Sequence, residues 1–185
     1  RGILANDMEP VKHRIVIQTL GFKSFLSTVL LVSVSPGLSK VSGMISTLYM
    51  FAKWEFENNN TYFIFVNPSN RCRADIKRLG IKNAKYVART TNETRLSQFY
   101  NSIDVLAHAR KDGECNAAVH FESMAHGKPI ISHYGEVFNG HMECIQDAGF
   151  CVLRGDIDEY ARIMNAFIHG IVDYQTLSDN AYRQW

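Results

Sequence analysis

The sequence has no long hydrophobic run, little net charge and few cysteines or prolines, and each shortage removes a class of protein. Its most apolar region, Ile15 to Val34, is broken by Gln18, Lys23, Ser24, Ser27 and Thr28. The core of that region, Val29 to Val34, is only strand length, so it reads as a buried strand rather than a membrane span. Twenty basic residues against 18 acidic ones leave a charge of +2, which gives no bulk field for nucleic acid or an anionic membrane. Any anion must therefore be held locally. The four cysteines, Cys72, Cys115, Cys144 and Cys151, form no C-x-x-C pair and no disulfide framework, and this favours a reducing, cytoplasmic setting. With 46% hydrophobic residues, 4 Pro and 12 Gly among 185 residues, neither disorder nor a fibrous repeat fits. The length suits one domain with a sizeable core. The start at Arg1, without a charged-then-apolar leader, points to a fragment.

From Val29 onward, short β-rich runs alternate with segments of helical period. Val29 to Val34 ends at the turn Ser35-Pro36-Gly37, and Val41 to Glu57 carries apolar residues at helical spacing. Tyr62 to Val66 is a second strand, followed by a helix to Leu79 before Gly80; Ala84 to Ala88 is a third. A helix over Thr91–Ser102, a strand at Ile103–Ala107, a helix at Ala117–His126 and a strand at Pro129–Ser132 come next. The last strand is Gly149–Leu153, and Asp156 opens a helix through Ile168. Such alternation predicts an α/β fold, a Rossmann-like doubly wound parallel sheet. Residues 1–28 fit the alternation poorly and are read as a lead-in segment, with the domain over residues 29–185. Ligands of such sheets bind outside the carboxyl ends of the strands.

The segment from Gly113 to Ile131 carries the chemistry. Asn116 can cap the start of its helix, and Gly127 before Lys128-Pro129 supplies a left-handed stop. Ala117, Ala118, Phe121, Met124 and Ala125 share one side of the helix, and Glu122 falls at the edge of that stripe. A helix start at the carboxyl end of a parallel strand favours an anion, through unpaired N–H groups and the helix dipole. Glu114 and Glu122 cannot help there. Carboxylates beside a phosphate site are suited instead to accept hydrogen bonds from sugar hydroxyls.

The run Glu114-x7-Glu122, followed by Ser123-Met124-Ala125-x-Gly127-Lys128-Pro129-Ile130-Ile131, resembles the E-x7-E signature of retaining GT-B glycosyltransferases, in particular glycosyltransferase family 4. Phe99-Tyr100-Asn101-Ser102-x-Asp104-Val105 resembles the family's Y-x-x-A-D-V element, and Gly149-Phe150 through Gly155-Asp156 its late strand and turn. The resemblance implies one half of a GT-B fold, a nucleotide-sugar donor, no metal or other cofactor, and a hexosyltransferase-type reaction. It also implies a missing N-terminal acceptor domain, without which the fragment would not turn over. By the same resemblance Glu122 meets the ribose and Glu114 the donor sugar. Backbone N–H groups of Asn116, Ala117 and Ala118 meet the diphosphate or the sugar hydroxyls, and the base lies near Val87, Ala88 and Arg89.

The sequence departs from the family at its basic pair. The family has Gly-Arg after its first strand and a Lys soon after; here Val34-Ser35-Pro36-Gly37-Leu38-Ser39-Lys40 keeps Lys40 but no arginine. An arginine's bidentate grip on phosphate is not replaced by lysine. This leaves two alternatives to a working transferase: an inactive nucleotide-sugar-binding or interaction module of the same fold, and a nucleotide-sugar epimerase. His133, His141 and Cys144 have only loosely metal-like spacing, and His120 and His126, six apart, point away from each other on a helix. No metal site is expected. A nucleophile at Cys115 lacks an oriented histidine, and Arg110 and Lys111, just before Glu114, could either reach a phosphate or be merely solvated.

Overall fold

The computed structural model describes residues 15–17, 63–68, 70–82, 84–108, 113–115 and 118–185, with backbone alone at 15–17, Arg71 and Glu114. The expected strand Val29–Val34 and helix Val41–Glu57 lie outside the described residues. In chain order the elements are β1 (Ile15–Ile17), β2 (Phe63–Val66), α1 (Asn70–Arg78), β3 (Ala84–Val87), α2 (Glu93–Asn101), β4 (Val105–Ala107) and β5 (Gly113–Glu114). They continue with α3 (Ala118–Met124), β6 (Ile130–His133), β7 (Phe138–Asn139), α4 (His141–Ile145), a 3-10 turn (Gln146–Ala148), β8 (Gly149–Val152), α5 (Ile157–Ile168) and α6 (Tyr174–Gln184).

A four-stranded sheet runs β1-β4-β6-β8, with every neighbouring pair parallel. The second pair, β2 and β3, is also parallel, in register Phe63↔Ala84 to Val66↔Val87, and packs beside β1. The spatial order is thus β3, β2, β1, β4, β6, β8: the chain winds outward from β1, returns to β4, and winds outward the other way. This is the expected doubly wound sheet, and its direction reverses between β1 and β4. The β1 ladder, Ile15↔Val105 to Ile17↔Ala107, lies in the stretch read as a lead-in, so at least this β-branched triplet belongs to the sheet.

Strands β2 and β4 are buried along their whole length, as expected where helices cover both faces, whereas the outer strand β3 exposes Lys85 and Tyr86. Phe63, Phe65, Val66, Leu106, Ala107, Ile130 and Ile131 are all buried, against Phe99 and Tyr100 of α2, Met124 of α3 and Ile163, Met164 and Phe167 of α5. Each such aliphatic or aromatic side chain contributes roughly 1.5–3 kcal/mol by leaving water. Helix starts follow side-chain caps: Asn92 accepts from the Arg95 N–H, Asp156 from Glu159 and Asp173 from Thr176. Among the described residues the expected helix and strand bounds agree with the observed ones to within two or three residues. Besides β1, the two-residue ladder of β5 with β7 and the short helix α4 with its 3-10 turn were not anticipated.

Helix α6 packs across the amino ends of the strands. Its Tyr174 hydroxyl donates to the Asp104 carbonyl just before β4, 2.9 Å away, and Asn180 Nδ2 donates at 2.8 Å to the Asp147 carbonyl just before β8. Its Tyr182 ring covers Gly127, before β6. The opposite, carboxyl end of the sheet is left clear of it.

Candidate functional site

Chain reversal between β1 and β4 opens a crevice at the carboxyl ends of those strands, and α3 is the helix that follows β4. Between them the chain passes through β5, which pairs with β7 as Gly113↔Phe138 and Glu114↔Asn139. Gly113 has φ +77, and a Cβ there would stand 1.7 Å from the Phe138 carbonyl oxygen, so only glycine permits this approach. The ladder fixes the backbone of Glu114.

At the far end of α3 the chain stops as the sequence predicts. Gly127 adopts φ +62, its N–H bonds the Met124 carbonyl at 2.8 Å, and the Lys128 N–H bonds the Ser123 carbonyl at 3.1 Å. This pair of bonds is a Schellman motif, which satisfies carbonyls that the last helical turn would otherwise leave open.

Glu122 sits midway along this short helix, half-buried, on the side that meets α2. The Tyr100 hydroxyl donates to Glu122 Oε2 at 2.7 Å. Tyr100 itself is fully buried, edge-on to Phe99 with ring centroids 5.1 Å apart and stacked on His126 at 5.3 Å. His126 Nδ1 lies 2.8 Å from the Glu122 backbone carbonyl, to which it can only donate; its Nε2 is then left to accept from the Ser97 hydroxyl at 3.1 Å. Among the described residues, Glu122 Oε1 has no hydrogen-bond partner and no Lys or Arg pairs with the carboxylate.

The opposite side of α3 is different. His120 is fully buried against His108 and His141, with ring centroids 4.5 and 5.7 Å away, and among the described residues neither of its ring nitrogens has a hydrogen-bond partner. Burial first, then the neighbouring His108 and His141, hold its pKa well below the ordinary imidazole value. His141 Nε2 donates to the His133 carbonyl at 3.0 Å, and His108 Nδ1 lies 3.4 Å from Ser132 Oγ. Among the described residues, no group of three or more His, Cys, Asp or Glu side chains could hold a metal ion. Cys144 Sγ donates instead to the Gly140 carbonyl.

Ala88 and Arg89 are exposed just beyond the carboxyl end of β3, and Ala118 is exposed at the first turn of α3. Lys40, Asn116, Ala117, Arg110 and Lys111 lie outside the described residues, as does the Glu114 side chain. Sequence reasoning paired the two glutamates but missed Tyr100 and His126 as the groups that hold one of them. The available signal was the position of Glu122 at the edge of an apolar stripe, where a carboxylate needs a buried donor.

The sequence model of the family described as glycosyl transferases group 1 matches residues 38–184. The chain belongs to that family. No curated protein matches the chain by sequence. Among solved structures, the lipopolysaccharide glycosyltransferase WaaG is 16% identical with a TM-score of 0.66, over 94% of this chain and 43% of its own. HepE of Anabaena, in complex with UDP-glucose, is 23% identical with a TM-score of 0.67, over 85% of this chain and 43% of its own. A glycosyltransferase from Rickettsia africae is 14% identical with a TM-score of 0.70, over 95% and 43%. These likenesses establish the fold: one Rossmann-like half of a GT-B glycosyltransferase. The chain spans 43% of the length of each of these three relatives. Among the described residues, no helix of this family member is long and apolar enough to cross a membrane.

Proposed function

We propose that the chain binds the nucleotide-diphosphate sugar donor of a retaining glycosyltransferase of hexosyl type. The acceptor and the remainder of the catalytic surface would come from a second, N-terminal domain. The observation that carries this reading is Glu122. It is a half-buried carboxylate on the helix after β4, at the switch point of a parallel sheet, with one oxygen anchored by Tyr100 and the other without a described partner. A carboxylate so held is an acceptor for the vicinal hydroxyls of a ribose. Family membership supports the reading, and the HepE structures that hold UDP-glucose, or UDP and glucose, show the kind of ligand a similar fold takes.

On this reading the base lies against Ala88 and Arg89, and Glu122 fixes the ribose. The N–H groups of Asn116, Ala117 and Ala118 with Lys40 face the diphosphate, and Glu114 orients the donor sugar. Transfer breaks the bond between the anomeric carbon and the diphosphate oxygen. It forms a bond from an acceptor hydroxyl oxygen on the same face of the sugar, and the hydroxyl proton passes to the departing diphosphate oxygen. No resident cofactor takes part. The charge that develops on the leaving diphosphate is met by Lys40 and backbone dipoles, because the sequence lacks the usual arginine after Val34. That missing arginine favours a second reading, a binding module of the same fold without turnover.

Calorimetry of the full chain with UDP, GDP and ADP tests the binding claim. One of them is expected to bind, and Glu122→Ala is expected to weaken it by roughly ten- to a hundredfold, the value of one or two hydrogen bonds to a charged acceptor. No binding by wild type, or unchanged binding by the variant, would overturn the reading. Product formation from the donor and an acceptor by the protein that also carries the N-terminal domain, lost in Lys40→Ala and Glu114→Ala, separates the transferase from the module.

A further inference from the structure

We infer that Tyr100 is a positioning residue that sets how strongly the site discriminates ribose from deoxyribose. The inference rests on the reading of Glu122 as the ribose ligand. Four observations carry it.

Tyr100 is fully buried, and its ring is clamped between Phe99 and His126, so its hydroxyl has one place to be. That hydroxyl donates at 2.7 Å to Glu122 Oε2, across 22 residues of sequence and between two different helices. The backbone under Glu122 is held separately, since His126 Nδ1 donates to its carbonyl oxygen and Ser97 supports the same ring. Finally, Glu122 Oε1 and the remaining lone pair of Oε2 have no described donor.

A glutamate on a helix surface has three rotatable side-chain bonds, and fixing them on ligand binding costs affinity. Here a phenol donor fixes the carboxylate beforehand. It turns one oxygen inward and presents the open lone pairs to whatever lies against α3. Only donors can use those lone pairs; the diphosphate offers none, the N–H groups of the base lie on this reading against Ala88 and Arg89, and the ribose 2′- and 3′-hydroxyls are the donors left to meet Glu122. The Tyr100 hydroxyl should therefore affect binding only through ligand hydroxyls that reach Glu122. A group that merely supported the fold would affect every ligand alike.

The test compares UDP, GDP or ADP, whichever binds, with its 2′,3′-dideoxy counterpart, by calorimetry on the full chain. In wild type the dideoxy nucleotide is expected to bind at least tenfold more weakly. Tyr100→Phe is expected to weaken the ribonucleotide by about tenfold and leave the dideoxy nucleotide unchanged. Combined with Glu122→Ala it should add nothing to that variant's loss. Binding of the dideoxy nucleotide, read in the same titrations, reports whether Tyr100→Phe keeps its fold, so a loss confined to the ribonucleotide cannot come from unfolding. Equal weakening of both nucleotides by Tyr100→Phe, additive losses in the double variant, or full discrimination in Tyr100→Phe would each overturn the positioning role. A wild type that binds both nucleotides equally would instead overturn the reading of Glu122 beneath it.

Discussion

On the side of α3 that meets α2, a carboxylate, a phenol, an imidazole and a serine hydroxyl are joined in one chain of hydrogen bonds. On the side that meets His108, just after β4, and α4, His120 lies among two other imidazoles with neither ring nitrogen partnered among the described residues. Both faces are polar, yet they store polarity in opposite ways. The first is partly exposed and donor-acceptor matched, so it keeps a charged group in a defined position at little cost. In the second, His120 is fully buried with no described partner, which costs about 1–3 kcal/mol for each polar group so left. The lesson is that burial of an ionisable side chain marks a site only when something holds it; without a partner it marks a weak point in the fold.

Three changes would sharpen this contrast. The largest effect is expected at the turn shared by both faces. Gly127→Ala places a Cβ 2.3 Å from a Tyr182 ring carbon at a left-handed φ of +62, and should destabilise the fold by roughly 2–4 kcal/mol. A denaturant midpoint that does not move would show that the α3 stop and α6 can shift apart. Next is the unmatched face. His120 has its folded pKa lowered, so at acid pH the unfolded chain takes up a proton that the folded chain refuses. Stability is therefore full above about pH 6.5, the ordinary histidine value, and falls below it by about 1.4 kcal/mol per pH unit for this residue. His120→Leu should leave stability at pH 7 equal or higher and flatten that acid slope. An unchanged slope in thermal melts from pH 7 to pH 5 would place the sensitivity elsewhere, with His133, whose pKa burial also lowers, as the next group to replace. The smallest effect belongs to the matched face: Ser97→Ala removes the hydroxyl that bonds His126 Nε2 at 3.1 Å and accepts from Asn101 Nδ2 at 3.4 Å, and should cost about 0.5–1 kcal/mol in urea unfolding. A much larger loss would mean that His126 depends on Ser97 for its place.

Much of the architecture was legible in the sequence because its signals are local. Asn92 and Asp156 open helices by accepting N–H groups three residues on, and Gly127 closes one at positive φ; each can be read from a few neighbouring letters. The apolar strands Phe63–Val66 and Ile130–His133 were legible for the same reason. The β5–β7 ladder was not, because two residues carry no period and their pairing depends on Gly113 meeting Phe138 across 25 positions, a separation given by their ladder. At the site, the E-x7-E spacing pointed to Glu122, but its anchor did not show. Tyr100 and Glu122 are adjacent only because α2 and α3 pack together, and nothing in either helix's own pattern says which tyrosine will face which carboxylate. His120 and His126 were correctly read as diverging; that one would join a buried trio and the other stack on a tyrosine required the packed helices.

Helix α6 gives the domain an order of assembly. Its contacts to Asp104, Gly127 and Asp147 reach back to the starts of β4, β6 and β8, with the first spanning 70 residues. Contacts of such long sequence separation form late, since the intervening loop must close first. During synthesis, β4, β6 and β8 are complete in the nascent chain before residues 174–184 have been made, and their amino ends remain uncovered until then. The end of the sheet that the candidate site does not use is thus the last to be sealed, and a ribosome stalled before Tyr174 would present it to chaperones rather than to substrate.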